Sequence, residues 1–176
     1  MSNEHTVMDL PSLQRPEIVA EVERSRARID RAFTEIFSGY DLKAEDVLNE
    51  VVSVEGYTGH IAVGDISFYS YCGHHFAPFF GTATVTYTPR RIITGLGKLV
   101  RLVRDVHAKR LQIQELMTRD IANDVMRVLD AEGVRVVTRA KHLCMCSRGP
   151  GDDNAWAEVV YEAGTPIGDA GNQASS

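Results

Sequence analysis

The sequence predicts an α+β fold built around one hydrophobic core, and two observations carry that expectation. The chain has 176 residues, 44% of them hydrophobic, enough for one core with short appendages but not for two full domains. Its apolar residues also change period along the chain, from helical spacing to alternation and back. The resulting order is helix, two strands, two helices, two strands.

Residues 1–15 are polar, carry Pro11 and read as a flexible lead-in. Residues 16–40 form an N-terminal helical segment. From Pro16 to Phe37 the residues Ile18, Val22, Ile29, Phe33, Ile36 and Phe37 recur at helical spacing, with Pro16 in the permissible first turn and Gly39 just past the end. The opposite side mixes Arg24, Arg26, Arg28 and Arg31 with Glu21, Glu23 and Asp30, the pattern of a solvated face.

Residues 41–163 make the main domain. Asp41 to Glu50 is a short helical or irregular link, and Val51 to Val54 a short strand. Ile61 to Tyr71 and Thr82 to Thr88 read as an antiparallel strand pair, the second rich in Thr, Val and Tyr. After Pro89, a helical region opens at Gly95 with Leu99, Leu102, Val103 and Val106 on one side. A longer helix follows from near Gln112, with Met117, Ile121, Val125, Val128 and Leu129 as its apolar stripe and Gly133 as a C-terminal cap. Val134 to Met145 and Asn154 to Glu162 are two more strands. Residues 164–176 are rich in Gly, Ala and small polar types, the composition of a disordered tail.

A net charge of −5 offers no basic field for nucleic acid or an acidic membrane. No apolar run approaches the roughly 18 residues of a membrane span, and Met1 to Leu10 lacks the pattern of a signal peptide. The expectation is a cytoplasmic protein whose partner is a small molecule or another copy of itself. Three cysteines in such a chain point to metal binding or catalysis rather than a disulfide framework, with a free thiol as the plain alternative.

Chemistry concentrates in Ser70-Tyr-Cys72-Gly-His74-His75-Phe-Ala-Pro78 and His142-Leu-Cys144-Met-Cys146. Cys72, His75 and Cys144 meet the three-ligand count of a catalytic zinc site that keeps a fourth position for water. His74 and His142 are then free for proton transfer, a task suited to a side chain that titrates near neutrality. Buried thiols and hydrogen-bonded histidines are the plain alternative. In an extended backbone, Cys146 would share a face with His142 and Cys144 and close a four-ligand structural site. Glu115, at the start of the long helix, can accept paired N–H donors such as the N1–H and N2–H edge of guanine, or can simply favour the helix dipole. Lys98, Arg101, Arg104 and Arg148 are cations able to hold phosphate or to line an exposed helix face. Gly95-Leu-Gly-Lys98 is too short for a Walker loop.

In order and spacing, these residues resemble the GTP cyclohydrolase I family. The resemblance runs through Ser70-x-Cys72-x-His74-His75-Phe-x-Pro-Phe79, Gly81, Tyr87-x-Pro89, Gly95-Leu-x-Lys98-x-x-Arg101, Arg110-x-Gln112-x-Gln114-Glu115 and His142-x-Cys144-x-x-x-Arg148-Gly149. It implies a tunnelling fold, in which an antiparallel sheet packs with two helices per subunit and sheets from several subunits join into a barrel. It also implies a homodecamer of two pentamers with active sites between subunits. Carried over, Cys72, His75 and Cys144 hold Zn2+, and His74 and His142 transfer protons. Gln114 and Glu115 read guanine, while Lys98, Arg101 and Arg148 contact the triphosphate. The implied reaction is hydrolysis at C8 of GTP with loss of formate, then rearrangement of the ribose and closure to 7,8-dihydroneopterin triphosphate.

The chain also departs from the family pattern. Gly73 stands for a usual glutamate and Gly97 for a usual serine, and Ala27 and Asp30 occupy positions of a usual Arg and Lys. These departures leave two alternatives beside the main reading. One is a divergent homologue that stops at a ring-opened pyrimidine or takes a less phosphorylated purine. The other is a non-catalytic zinc-bound assembly protein.

Overall fold

The computed structural model describes residues 15–167. Residues 1–14 of the expected lead-in and 168–176 of the expected tail lie outside the described residues. The chain divides into two units, Met1–Glu35 and Ile36–Ser176. The first contains nearly all of α1 (Pro16–Ile36), a helix with no buried residue. Along its charged face Arg24 pairs with Glu21 at 2.6 Å. Ile18, Val19, Val22 and Phe33 are between 41% and 50% exposed.

In the second unit, a 3-10 turn (Ser38–Asp41) and α2 (Ala44–Val47) lead into β1 (Val51–Ser53). The strands β2 (Ile61–Cys72) and β3 (Ala77–Thr88) form the expected antiparallel pair. The short β4 (Ile92–Thr94) pairs with β1 in a separate two-stranded sheet. Helix α3 (Leu96–Arg101) runs directly into a π-helical segment, Leu102–His107. Then come β5 (Leu111–Gln112), α4 (Gln114–Val128), β6 (Gly133–His142), α5 (Leu143–Cys146) and β7 (Ala157–Gly164). The main sheet has the order β5-β2-β3-β6-β7, antiparallel except where β5 runs parallel to β2. The α+β expectation is met, and among the described residues no helix is long and apolar enough to cross a membrane.

Period-two burial explains the sheet. On β2 the buried residues are Ile66, Phe68, Ser70 and Cys72, and on β6 they are Val134, Val136, Thr138 and Ala140. The facing side of α4 contributes Met117, Ile121, Ala122 and Val125 at helical spacing, packed over β6 and β7. Burying a large apolar side chain contributes about 1.5–3 kcal/mol, so this single layer of contacts holds the sheet and α4 together. The other face of the sheet keeps Tyr69, 72% exposed, stacked on Phe80.

Several boundaries differ from expectation, with β3 starting at Ala77 rather than Thr82 and β7 at Ala157 rather than Asn154. Gly133 does not cap α4, which ends at Val128; it opens β6, where the Thr165 carbonyl leaves no room for a Cβ. The β6 strand stops at His142 because residues 143–146 turn helical. Residues 164–167 belong to the ordered part of the chain, with Gly164 paired to Gly133. Gly39 does more than stop a helix. Its N–H donates to Lys109 O at 3.0 Å, and the backbone of Val106 and Lys109 fills the space of any side chain.

A polar network that runs from the buried His107 out to the surface ties the π-helical segment to α4. His107 Nε2 lies 3.0 Å from Asp124 Oδ2, Asp124 Oδ1 accepts from Arg127 at 2.6 Å, and Arg127 reaches Glu45. Burial pushes the Asp124 carboxyl up, but the bonds from His107 and Arg127 outweigh it and hold it below the usual carboxylate range. A carboxyl depressed in the folded state adds stability that is complete above its unfolded pKa of about 3.9 and is lost as pH falls through the folded value. Asp124→Asn should therefore destabilise the protein near neutral pH by about 1.5–3 kcal/mol in urea titrations. The gap to the parent should narrow below about pH 4; a gap that does not change with pH would count against this account.

Candidate active site

The β2 strand ends at Cys72 and β3 begins at its partner Ala77, so Gly73 to Phe76 form a four-residue turn. Cys72 is 3% exposed, at the end of the buried row of β2, while His74 and His75 stand exposed on the turn. Phe76 N–H donates to Cys72 O at 2.8 Å, and Gly73 N–H donates to Gln112 O at 2.8 Å, which ties the turn to β5. Phe76 adopts φ 53°, a left-handed conformation that costs a residue with a Cβ about 1–2 kcal/mol. Ring contacts with Phe37 and Tyr71, at 5.9 and 6.0 Å, hold it there.

The second motif arrives through strand register. Phe79 of β3 pairs with His142 of β6, and their rings stack with centroids 4.6 Å apart and planes 3° from parallel. The helical turn of α5 then places Cys144, 7% exposed, over Cys72. The ligand atoms of Cys72, His75 and Cys144 all lie within 4.8 Å of one another. Two thiols and an imidazole at that spacing fit a zinc-type donor set. Burial and the neighbouring Cys72 push the Cys144 thiol up, a direction that a bound cation reverses by favouring thiolate. Cys146 is outside this group because the backbone there is helical, not extended, so the geometry offers three ligands and not four.

A cavity of about 260 Å³ opens over these atoms. Its walls bring together Cys72, His74, His75, Gln114, Glu115, His142 and Cys144, joined by Ile113, Met145 and Ala157. His74 Nδ1 lies 3.6 Å from Cys72 Sγ. Burial pulls the His142 pKa down and His74 adds to this, while the Glu115 carboxylate opposes it. Glu115 is exposed in the first turn of α4. Gln114, by contrast, is buried and bonded to Thr138, Ala157 and His142.

The predicted phosphate contacts fall elsewhere. Lys98 and Arg101, both on α3, line a second cavity of about 330 Å³ with Gly95, Gly97 and Glu50. There Lys98 Nζ lies 3.1 Å from a Glu50 carboxylate oxygen and 3.4 Å from Asn49 Oδ1. Arg148 is exposed just beyond α5. Sequence reasoning did not find Glu50, since an acidic residue ahead of β1 carries no local signal for facing α3. Thr118 and Thr138, which support Gln114, were also missed, although Thr138 sits at an inward position of the β6 alternation.

The three-ligand geometry has a direct test. Cobalt(II) titration of the metal-stripped protein should give thiolate-to-metal absorption at one ion per chain in the parent and in Cys146→Ser. Cys144→Ser should lose most of that signal. Equal loss in both variants would mean that Cys146 is also a ligand.

The family profile described as GTP cyclohydrolase I matches residues 6–167. The chain is 46% identical over 124 residues to GTP cyclohydrolase 1 of Sinorhizobium fredii, covering 70% of this chain and 60% of that protein. Against GTP cyclohydrolase 1 of a Janthinobacterium species it is 43% identical over 145 residues, covering 80% and 73%. Against that of Clostridium kluyveri it is 48% identical over 122 residues, covering 69% and 65%. Among solved structures it is similar to the apo form of the archaeosine synthase QueF-Like, at 17% identity and a TM-score of 0.49, covering 62% of this chain and 98% of that one. With a profile match over most of its length and these identities, the chain belongs to the GTP cyclohydrolase I family and its subunit has the α+β tunnelling fold.

Proposed function

We propose that the protein is a zinc-dependent hydrolase of the GTP cyclohydrolase I type. It opens the imidazole ring of a guanine nucleotide at C8, releases formate and forms 7,8-dihydroneopterin triphosphate. One observation carries this reading: a single cavity lined by a two-thiol, one-imidazole donor set, two further imidazoles and Glu115. Zinc held by Cys72, His75 and Cys144 supplies Lewis acidity there.

The chain's own residues bind and orient the substrate. Glu115 accepts the N1–H and N2–H donors of guanine, a bidentate match that adenine cannot offer. In the family pattern Gln114 stands beside it as the second base reader. His74 and His142 flank the thiols on the cavity wall, where imidazoles can give and take the protons that ring opening requires. Lys98, Arg101 and Arg148 supply positive charge for the triphosphate. Because Lys98 and Arg101 line a different cavity from Glu115, the arrangement favours sites completed between subunits of a homo-oligomer, the decamer of two pentamers implied by the family. The exposed apolar residues of α1 support assembly as well. Three free cysteines suit a reducing, cytoplasmic setting.

A second reading has its own observation. Around Gly97 an added Cβ meets nothing within 4 Å, and at Gly73 it would make only ordinary contact with Gln112 and Ile113. The backbone therefore has room for the serine and glutamate usual in the family, so their absence removes polar groups without a steric reason. That favours altered handling of ribose and phosphates, with the reaction stopping at a ring-opened pyrimidine.

Mass spectrometry after incubating the zinc-loaded protein with GTP, GMP and guanosine separates the two. Formate with dihydroneopterin triphosphate from GTP is the expected result, a ring-opened pyrimidine alone would select the second reading, and no product from any substrate would sink both. Glu115→Ala should reduce kcat/KM for the accepted nucleotide by an amount equivalent to about 2–5 kcal/mol, the usual penalty when one partner of a charged hydrogen bond enclosed on binding is lost. An unchanged kcat/KM would remove Glu115 from the base-reading role.

A further inference from the structure

Hydrogen-bond chemistry leaves the side-chain amide of Gln114 a single orientation. Its Nε2 lies 3.2 Å from the backbone oxygen of Thr138 and 3.3 Å from that of Ala157. Carbonyl oxygens only accept, so the group between them is the NH2; a flipped amide would set Oε1 against two acceptors. The hydroxyls agree. Thr118 Oγ1 donates its one proton to Gln114 O at 2.7 Å, so in its 2.7 Å contact with Thr138 Oγ1 the donor is Thr138. The Thr138 hydroxyl is then left to accept from Gln114 Nε2 at 3.1 Å. Gln114 is 3% exposed and both threonines 0%, so water does not compete for these bonds.

The consequence reaches His142. Gln114 Oε1 faces His142 Nε2 at 2.8 Å, and an amide oxygen accepts, so Nε2 carries the proton. In the neutral ring Nδ1 then holds the lone pair. The Phe79 ring, stacked 4.6 Å away, limits the imidazole to one plane, and the ring lines the cavity. We infer that Gln114 is a positioning residue that fixes His142 as the Nε2–H tautomer, presenting Nδ1 as its acceptor, and that Gln114 does not read the guanine base. This rests on the reading above only in taking His142 as a proton-transfer group. The chain of bonds makes α4, β6 and β7 joint supports of one imidazole, since Thr118, Thr138 and Ala157 each come from a different element.

Two measurements test it. The first uses zinc-loaded protein carrying 15N-histidine, with His142→Gln to assign the signals. In solid-state NMR His142 should show a pyridine-type Nδ1 and a pyrrole-type Nε2, and the opposite pattern would overturn the inference whether or not GTP is turned over. The second measurement is kinetic, with 7-deaza-GTP as a ligand that keeps the N1–H and N2–H edge. Gln114→Met should lower kcat by about 10²-fold or more while leaving KM, zinc content and the Kd of 7-deaza-GTP within about threefold. A raised Kd with unchanged kcat would make Gln114 a base reader instead. Should that variant fail to fold, Thr138→Val and Thr138→Ser serve in its place. Val, without a hydroxyl, should lower kcat and Ser should restore it; parental kcat in both would overturn the inference.

Discussion

The register of three neighbouring strands is the constraint on which the site depends. Cys72 faces Ala77 across the β2–β3 pair, and Phe79 faces His142 across β3–β6. Together these pairings bring two motifs that are distant in sequence to one end of the sheet. Side chains alternate along a strand, so a slip of one residue would turn Cys72 and Phe79 to the opposite face and separate the thiols. Hydrophobic burial opposes that slip. Ile66, Phe68 and Cys72 form one buried row, Phe79, Ala83, Val85 and Tyr87 another, and Cys72 and Phe79 each end their row at the cavity. The donor set is thus an extension of the core packing.

Polar groups finish what the core begins, and many of them serve the backbone. Arg110 donates to Gly39 O at 3.0 Å and to Leu42 O at 3.1 Å, and Ser70 Oγ donates to Arg110 O. These part-buried bonds tie together the loops that lead into α4 and beside β2. Arg110, Ser70 and Gln112 all belong to the motif stretches, yet their bonds hold the chain around the cavity. A motif residue can therefore matter to chemistry by fixing where its neighbours stand.

Legibility in the sequence followed periodicity. The helix of α1 and the stripe of α4 were readable because each keeps one period over ten or more residues, and the β2–β3 hairpin because loose alternation is followed by a stretch rich in Thr, Val and Tyr. The two-residue β5 and three-residue β1 and β4 are too short to show a period and depend on what they pair with. The π-helical segment was hidden for another reason: Leu102, Val103, Val106 and His107 suit an ordinary helix equally well, and only packing settles the wider turn. Within the site, residue type and spacing marked Cys72, His75, Cys144, His74 and His142 as candidates, and the fold brings all five to one cavity. The Cys146 question was not, because it turned on whether four residues after β6 are extended or helical.

By itself, then, the sequence determined which side chains have the chemistry for a metal and for proton transfer, and which stretches form helix or strand. Residue identity and local period are properties of the chain alone. The tertiary structure decided which of those side chains share a cavity, separating Lys98 and Arg101 from Glu115. It also decided that Gln114 is enclosed, its amide satisfied by Thr138, Ala157 and His142. Burial and hydrogen-bond direction arise only when remote segments meet, so no spacing within the chain could have shown them.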